Sequence, residues 1–178
     1  MSDDTQLLAA LRAIRSRGAI GEASLEQAIA HAEQFVAALP VGLSTLVDLG
    51  SGGGLPGLVI AARRPEIHVT LVERRQSRAD LLSRAVRALN LTDHVVVFAG
   101  DVRLLGGSFG SFDAATARSF AAPTITANWA GLLLKSGGRL VVSEPPTDDE
   151  ARWPEDLLST VGLIDQGRDQ GVRVFLKR

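Results

Sequence analysis

The residues able to do chemistry in this 178-residue sequence are a run of glycines and the acids set around it. Gly52-Gly53-Gly54-Leu55-Pro56-Gly57 satisfies the literal G-x-G-x-x-G spacing of a nucleotide-binding turn. Glycine suits such a turn because it accepts positive φ and has no Cβ to hold a ligand away from the backbone. Asp48 stands two residues before Gly50, and Glu73 follows it in Val72-Glu73-Arg74. An acid in the position of Glu73 accepts hydrogen bonds from ribose hydroxyls. A further acid, Asp101, lies in Gly100-Asp101-Val102. That pattern alone fits more than one nucleotide class, so the elements that carry it must decide.

Those elements alternate. Residues 1–40 read as two helices, the first with Leu7, Leu8, Leu11 and Ile14 on one face. The second opens with Ser24 and Gln27 in capping-box spacing and ends before Pro40. They form a short N-terminal cap on a core spanning 45–178, the whole making one domain. Short aliphatic strands are predicted at Thr45–Leu49, Val69–Glu73, Val95–Ala99, Phe112–Ala117 and Arg139–Ser143. Helices are predicted from Pro56 to Arg63, Ser77 to Asn90, Pro123 to Leu134 and Pro154 to Thr160, with loops at 106–111 and 145–150. Near-continuous apolar strands joined by helices indicate a mostly parallel sheet covered on both faces. Leu163–Asp165 and Val172–Leu176, around a polar glycine turn, read as a hairpin that adds an antiparallel last strand. The three acids therefore end strands one, two and three and line one crevice of an open sheet.

Two features then separate the nucleotides. A pyrophosphate is repelled by the Asp48 carboxylate, whereas the amino group or the sulfonium of S-adenosyl-L-methionine is attracted to it. The terminal hairpin is also foreign to an all-parallel dinucleotide sheet. Asp48, Gly50, Gly52 and Gly54 resemble the Asp-x-Gly-x-Gly-x-Gly pattern of class I methyltransferases. That resemblance implies a Rossmann-like α/β fold with a seven-stranded sheet, and an Asp101 carboxylate that accepts from the adenine amino group.

The segment VDLGSGGGLPGLVIAARRPEIHVTLVERRQSRADLL resembles the GidB family, guanine-N7 methyltransferases of small-subunit ribosomal RNA. The resemblance covers roughly residues 45 to 145. Gly54-Leu55-Pro56-Gly57 stands for the family's Gly-Phe-Pro-Gly, Arg78 for its helix arginine, and Arg118-Ser119-Phe120-Ala121 for its Arg-Ala-Phe-Ala-like run. Ser77, Gly100-Asp101-Val102 and Ser143-Glu144-Pro145-Pro146 depart from the family pattern. The cofactor set it implies is Asp48, Gly50, Ser51, Gly52, Gly54, Leu55, Pro56, Glu73, Arg74, Arg78, Asp101, Val102 and Arg118, with Arg118 also the catalytic candidate. Arg118 could stack on a base or hold a phosphate, or it could pair with Asp101 or Asp113. Phe120 could stack on a base; Trp129 reads as core.

The remaining residues set limits. There are no cysteines, which excludes disulfides and thiolate chemistry, and His31, His68 and His94 are scattered without metal-ligand spacing, so no metal is expected. The acidic start and the absence of a long apolar run lead to the expectation of a cytoplasmic protein. Formal net charge is −1, from 19 basic and 20 acidic residues, and 17 of the basic residues are Arg. A nucleic-acid binder usually has a basic balance. Arg74, Arg75, Arg78, Arg84 and Arg87, with Arg12, Arg15 and Arg17, could meet RNA phosphates or form solvated helix faces, and the acids from Asp148 to Asp156 would repel RNA. Ribosomal or another RNA is thus the expected partner. A small-molecule or protein acceptor, and a paralogue that binds the cofactor without turnover, stay open.

Overall fold

A computed structural model of the chain describes residues 3–21, 24–146 and 150–178. Two helices come first, α1 (Asp3–Arg15) and α2 (Leu25–Ala38). Ser24 caps α2, its Oγ accepting from the Gln27 N–H at 3.1 Å. The alternating part follows as β1 (Thr45–Leu49), α3 (Gly57–Arg63), β2 (His68–Glu73), α4 (Gln76–Ala88), β3 (Val95–Ala99), β4 (Phe112–Ala117), α5 (Pro123–Leu133) and β5 (Leu134–Ser143). α6 (Glu155–Val161), β6 (Leu163–Asp169) and β7 (Val172–Lys177) complete it.

The seven strands form one sheet in the order β3-β2-β1-β4-β5-β7-β6. β1 pairs in parallel with both β2 and β4, so the chain reverses its direction of travel across the sheet at the β1/β4 boundary. Ligands of open α/β sheets bind outside the carboxyl ends of the strands at such a switch point. The register sets Asp48 opposite Leu71 on one side and Thr116 on the other. β6 and β7 form the antiparallel hairpin that the sequence signals, and β7 joins it to the sheet by pairing antiparallel with β5.

Two apolar cores, one on each face, hold the layers together. Leu7, Leu11, Leu25 and Phe35 of α1 and α2 join Leu58, Ile60 and Leu82 of α3 and α4 in one cluster. Leu133, Leu158, Phe175 and Trp153 pack with α5 and α6 on the other face. The N-terminal helices therefore share a core with the cofactor-side helices, covering sheet that α3 and α4 leave open.

Several boundaries differ from the sequence reading. β5 starts at Leu134, because Gly137, at φ +79°, bends the strand without ending its pairing with β4. β6 runs on to Asp169 through an irregularity between Asp165 and Arg168, so Gly167 lies within it. Pro56 caps α3 in place of opening it. Val102–Ser108 is a 3₁₀ helix reaching into the predicted 106–111 loop. Of the predicted 145–150 loop, 147–149 lie outside the described residues, and so does part of the acidic run from Asp148. Among the described residues no helix is long and apolar enough to cross a membrane.

Candidate functional site

The chain leaves β1 at Gly50, whose φ of +67° turns it sharply over the end of the sheet. A Cβ there would stand 2.8 Å from the Phe120 ring, so this glycine is required for close approach. The turn is pinned from below. Ser51 N–H donates to Val72 O at 2.9 Å, its hydroxyl donates to Asp48 O at 3.0 Å, and Gly54 N–H donates to Ser51 O at 2.6 Å. Glu73 holds the same loop from the side: Oε2 accepts from Gly52 N–H at 3.0 Å and Oε1 from Arg75 N–H at 2.7 Å. The ends of β1 and β2 are thus tied together by one carboxylate that is 5% exposed.

Gly53 has ordinary φ but no room. A Cβ would collide with Ile20 and sit 2.7 Å from Ala19 O. The segment between α1 and α2 therefore lies directly on the glycine loop, a contact between parts distant in sequence that spacing alone does not reveal.

Two cavities open at this place. The larger, about 520 Å³, is lined by Gly50, Glu73, Arg74, Arg78, Asp101 and Val102, with Phe120 and Trp129 on its far side. The smaller, about 230 Å³, is lined by Gly50, Ser51, Gly52, Leu55 and Arg118, and roofed by Ala19, Ile20 and Gly21. Gly50, Arg78 and Ser119 border both. Most of the expected set is thereby gathered around one cleft.

Three expected residues are not in its wall. Asp48 is 1% exposed, and Gly54 and Pro56 are buried beneath the turn. The expectation that the Asp48 carboxylate faces a ligand's amino group is corrected by this placement. The strand pleat turns it inward, where Oδ1 accepts from Thr116 Oγ at 2.7 Å. Oδ2, beside the Gly57 backbone, makes no hydrogen bond of good geometry. Burial pushes its carboxyl up from the ordinary range, against Thr116, Ser51, Gly57 and the Arg118 charge, which pull it down.

Arg118 follows the last residue of β4. Its guanidinium is partly buried, and Nη1 has no hydrogen-bond partner. The salt bridges considered for it do not form, because both acids are engaged elsewhere. Asp101 holds Arg103 through Nε at 2.9 Å and Nη2 at 3.1 Å, bonds that draw its carboxyl below the usual range. Asp113 holds Lys135 at 2.8 Å and the Thr45 N–H at 2.9 Å. Burial lowers the Arg118 pKa while the Asp48 charge raises it. Among the described residues Arg118 is a cation hydrogen-bonded to no partner, with its counter-charge, Asp48, buried below.

Two residues stand nearer the site than their sequence context indicates. Trp129, read as core, does pack partly buried against the core, and it also forms part of the cleft wall. His31, one of the scattered histidines, lies within α2, part-buried and near enough to Arg118 for that charge, after burial, to lower its pKa. Its hydrogen bonds define the tautomer. Gln34 Oε1 accepts from Gly171 N–H at 3.2 Å, so it is a carbonyl oxygen and the His31 Nδ1, 3.0 Å away, must donate to it. Nε2 then accepts from the Ser143 hydroxyl at 3.1 Å. The i, i+3 spacing of His31 and Gln34 was legible, but Ser143 is 112 residues away.

In sequence the chain is similar to members of one family. The GidB family model, described as rRNA small subunit methyltransferase G, matches residues 20–157. A ribosomal RNA small subunit methyltransferase G of Kineococcus radiotolerans is 40% identical over 142 residues, covering 76% of this chain and 56% of the relative. One of the same name from Mycobacterium marinum is 36% identical over 121 residues, covering 67% and 53%. The chain spans about half the length of the curated relatives it matches. A crystal structure of a cofactor-bound protein from MTB superposes with a TM-score of 0.68 at 18% identity, over 97% of this chain and 89% of that one, a likeness of fold alone.

Proposed function

Because this chain belongs to the GidB family of rRNA small subunit methyltransferase G, we propose that it transfers a methyl group from S-adenosyl-L-methionine to a guanine N7 of ribosomal RNA. The observation that carries this reading is the convergence of the glycine loop, the Glu73 and Asp101 carboxylates and the uncommitted Arg118 on one cleft.

The residues present suit that cofactor. Glu73 has both oxygens held by backbone N–H groups, which leaves further lone pairs for ribose hydroxyls. Asp101 and Val102 line the part of the cleft where an adenine would lie, between the end of β3 and Phe120. The smaller cavity suits the methionine portion, against the loop backbone and under Ile20.

When bound, S-adenosylmethionine supplies a methyl carbon already activated by its sulfonium. A guanine N7 accepts a methyl group through a lone pair and carries no proton, so this chain would need to supply no base at that atom. The protein therefore needs to align and desolvate more than to act as a base. Arg118 can donate to guanine O6, leaving the neighbouring N7 lone pair free and orienting the base. Asp48, buried beneath the loop, offsets the Arg118 cation where a second positive charge must be admitted.

The test is calorimetry with S-adenosylmethionine followed by tritium transfer to small-subunit ribosomal RNA. Saturable binding with transfer to one guanine is expected. No transfer, together with an unchanged modification profile in a deletion strain, refutes the proposal.

A further inference from the structure

A third depression adjoins the cleft. Arg17, just after α1, and Arg75, Arg78 and Arg84 line a groove of about 460 Å³ between the α1–α2 segment and α4. Arg75 and Arg78 belong also to the wall of the larger cavity, and Arg78 to that of the smaller one. The groove is therefore a continuation of the site.

Several arginines elsewhere in the chain are bound to acids. Arg63 pairs with Asp4 and Glu33, Arg64 with Glu66, Arg103 with Asp101, and Arg173 with Asp165. The guanidinium groups of Arg17, Arg75, Arg78 and Arg84 make no hydrogen bond or ion pair among the described residues. Among the described residues the acid in the groove wall is Asp80, bonded to Gln76 Nε2 at 2.9 Å. Four uncompensated cations facing one depression repel each other, in a chain whose formal net charge is only −1. A polyanion laid along the groove relieves that repulsion and releases its own counterions. A single small anion would be held by convergent, buried donors, whereas Arg17, Arg75 and Arg84 are exposed and spread along the groove.

We propose that this groove carries the sugar–phosphate backbone of the RNA whose base enters the methyl-transfer cavity, with Arg17 and Arg84 as contacts remote from the cofactor. The proposal rests on the RNA reading above and adds the path of the strand.

The experiment measures binding of a fluorescein-labelled single-stranded 20-nucleotide RNA by anisotropy across a salt series. It compares the wild type, the double variant Arg17→Ala/Arg84→Ala, and a control of equal charge change, Arg87→Ala/Arg178→Ala, which lies outside the groove. Calorimetry with S-adenosylmethionine and a melting curve accompany each protein. For the groove variant the expected result is roughly tenfold weaker RNA binding at about 50 mM salt, with the slope of log K against log salt reduced by about 1.4, from two contacts at about 0.7 each. Its cofactor affinity and melting temperature should match the wild type. If the groove and control variants lose equal affinity, the effect is one of net charge and the proposed path is overturned while the RNA reading stands. If the wild type does not bind RNA at low salt, both are overturned together.

Discussion

Glu73→Gln tests whether one carboxylate both holds the glycine loop and receives the ribose. Glutamine keeps the shape but has a single acceptor oxygen where Glu73 uses two, toward Gly52 N–H at 3.0 Å and Arg75 N–H at 2.7 Å. The variant must give up one of these bonds and turn an NH₂ group toward a backbone donor. Hydrogen bonds to a charged acceptor contribute about 1.5–3 kcal/mol each, and the group is nearly enclosed at 5% exposure, so little water can substitute. The ligand-free protein should lose about 1.5–3 kcal/mol. At about 2–4 °C per kcal/mol for a chain of this size, that is a fall in Tm of roughly 3 to 12 °C. Calorimetry with S-adenosylmethionine should show weakened binding as well, because the loop is no longer presented in one conformation. Scanning calorimetry of the ligand-free variant decides the matter. A Tm within about 1 °C of the wild type, well under the 2–4 °C that 1 kcal/mol would give, would show that Glu73 does not support the loop, even if cofactor binding fell.

Three further substitutions test other parts of the site. Gly53→Ala places a methyl group against Ile20 and Ala19 O, which should cost about 1–3 kcal/mol and loosen the α1–α2 segment; limited proteolysis between α1 and α2 should accelerate. Gly52→Ala has room but φ +52°, so a loss of about 1–2 kcal/mol without increased proteolysis is expected. Arg118→Met removes a partly buried cation whose Nη1 has no partner; stability should change by less than about 1 kcal/mol, whereas methyl transfer should fall by about 10²-fold or more. An Arg118→Met enzyme with normal turnover would exclude it from the reaction. Asp113 tests the base of the sheet. Burial pushes its carboxyl up, but Lys135, Thr45 and Ser44 outweigh this and hold it at about 2, below the ordinary 3.8. The difference corresponds to at most about 2.4 kcal/mol, and with Lys135 44% exposed solvent screening leaves about 1 kcal/mol. A depressed pKa stabilises above about 3.8 and ceases to as pH falls through about 2. Urea unfolding of Asp113→Asn should therefore show a deficit at neutral pH that closes across that range, and a pH-independent deficit would contradict the linkage.

The sequence by itself determined the class of fold and the address of the site. Apolar runs of strand length alternating with helical periodicity admit few arrangements other than a parallel sheet sheathed by helices, and Gly50 to Gly57 after the first strand puts a tight turn at that strand's carboxyl end. These are local signals, carried by neighbours in the chain, and so they survive without coordinates. Element ends were less legible, because Gly137 and Gly167 bend strands that remain paired with neighbours supplied by distant sequence. What the tertiary structure alone decided is the charge and contact state of each side chain. Asp48 was visible as an acid before the loop, but only the register with Thr116 shows it facing inward, a buried counter-charge in place of a wall residue. Arg118 was visible as an arginine after β4, yet its lack of a partner depends on Asp101 and Asp113 being taken by Arg103 and Lys135. His31 with Ser143, and Ile20 over Gly53, join segments that only folding brings together. Composition records how many charges the chain has; which of them are cancelled is a question of distance, and distance is set by the fold.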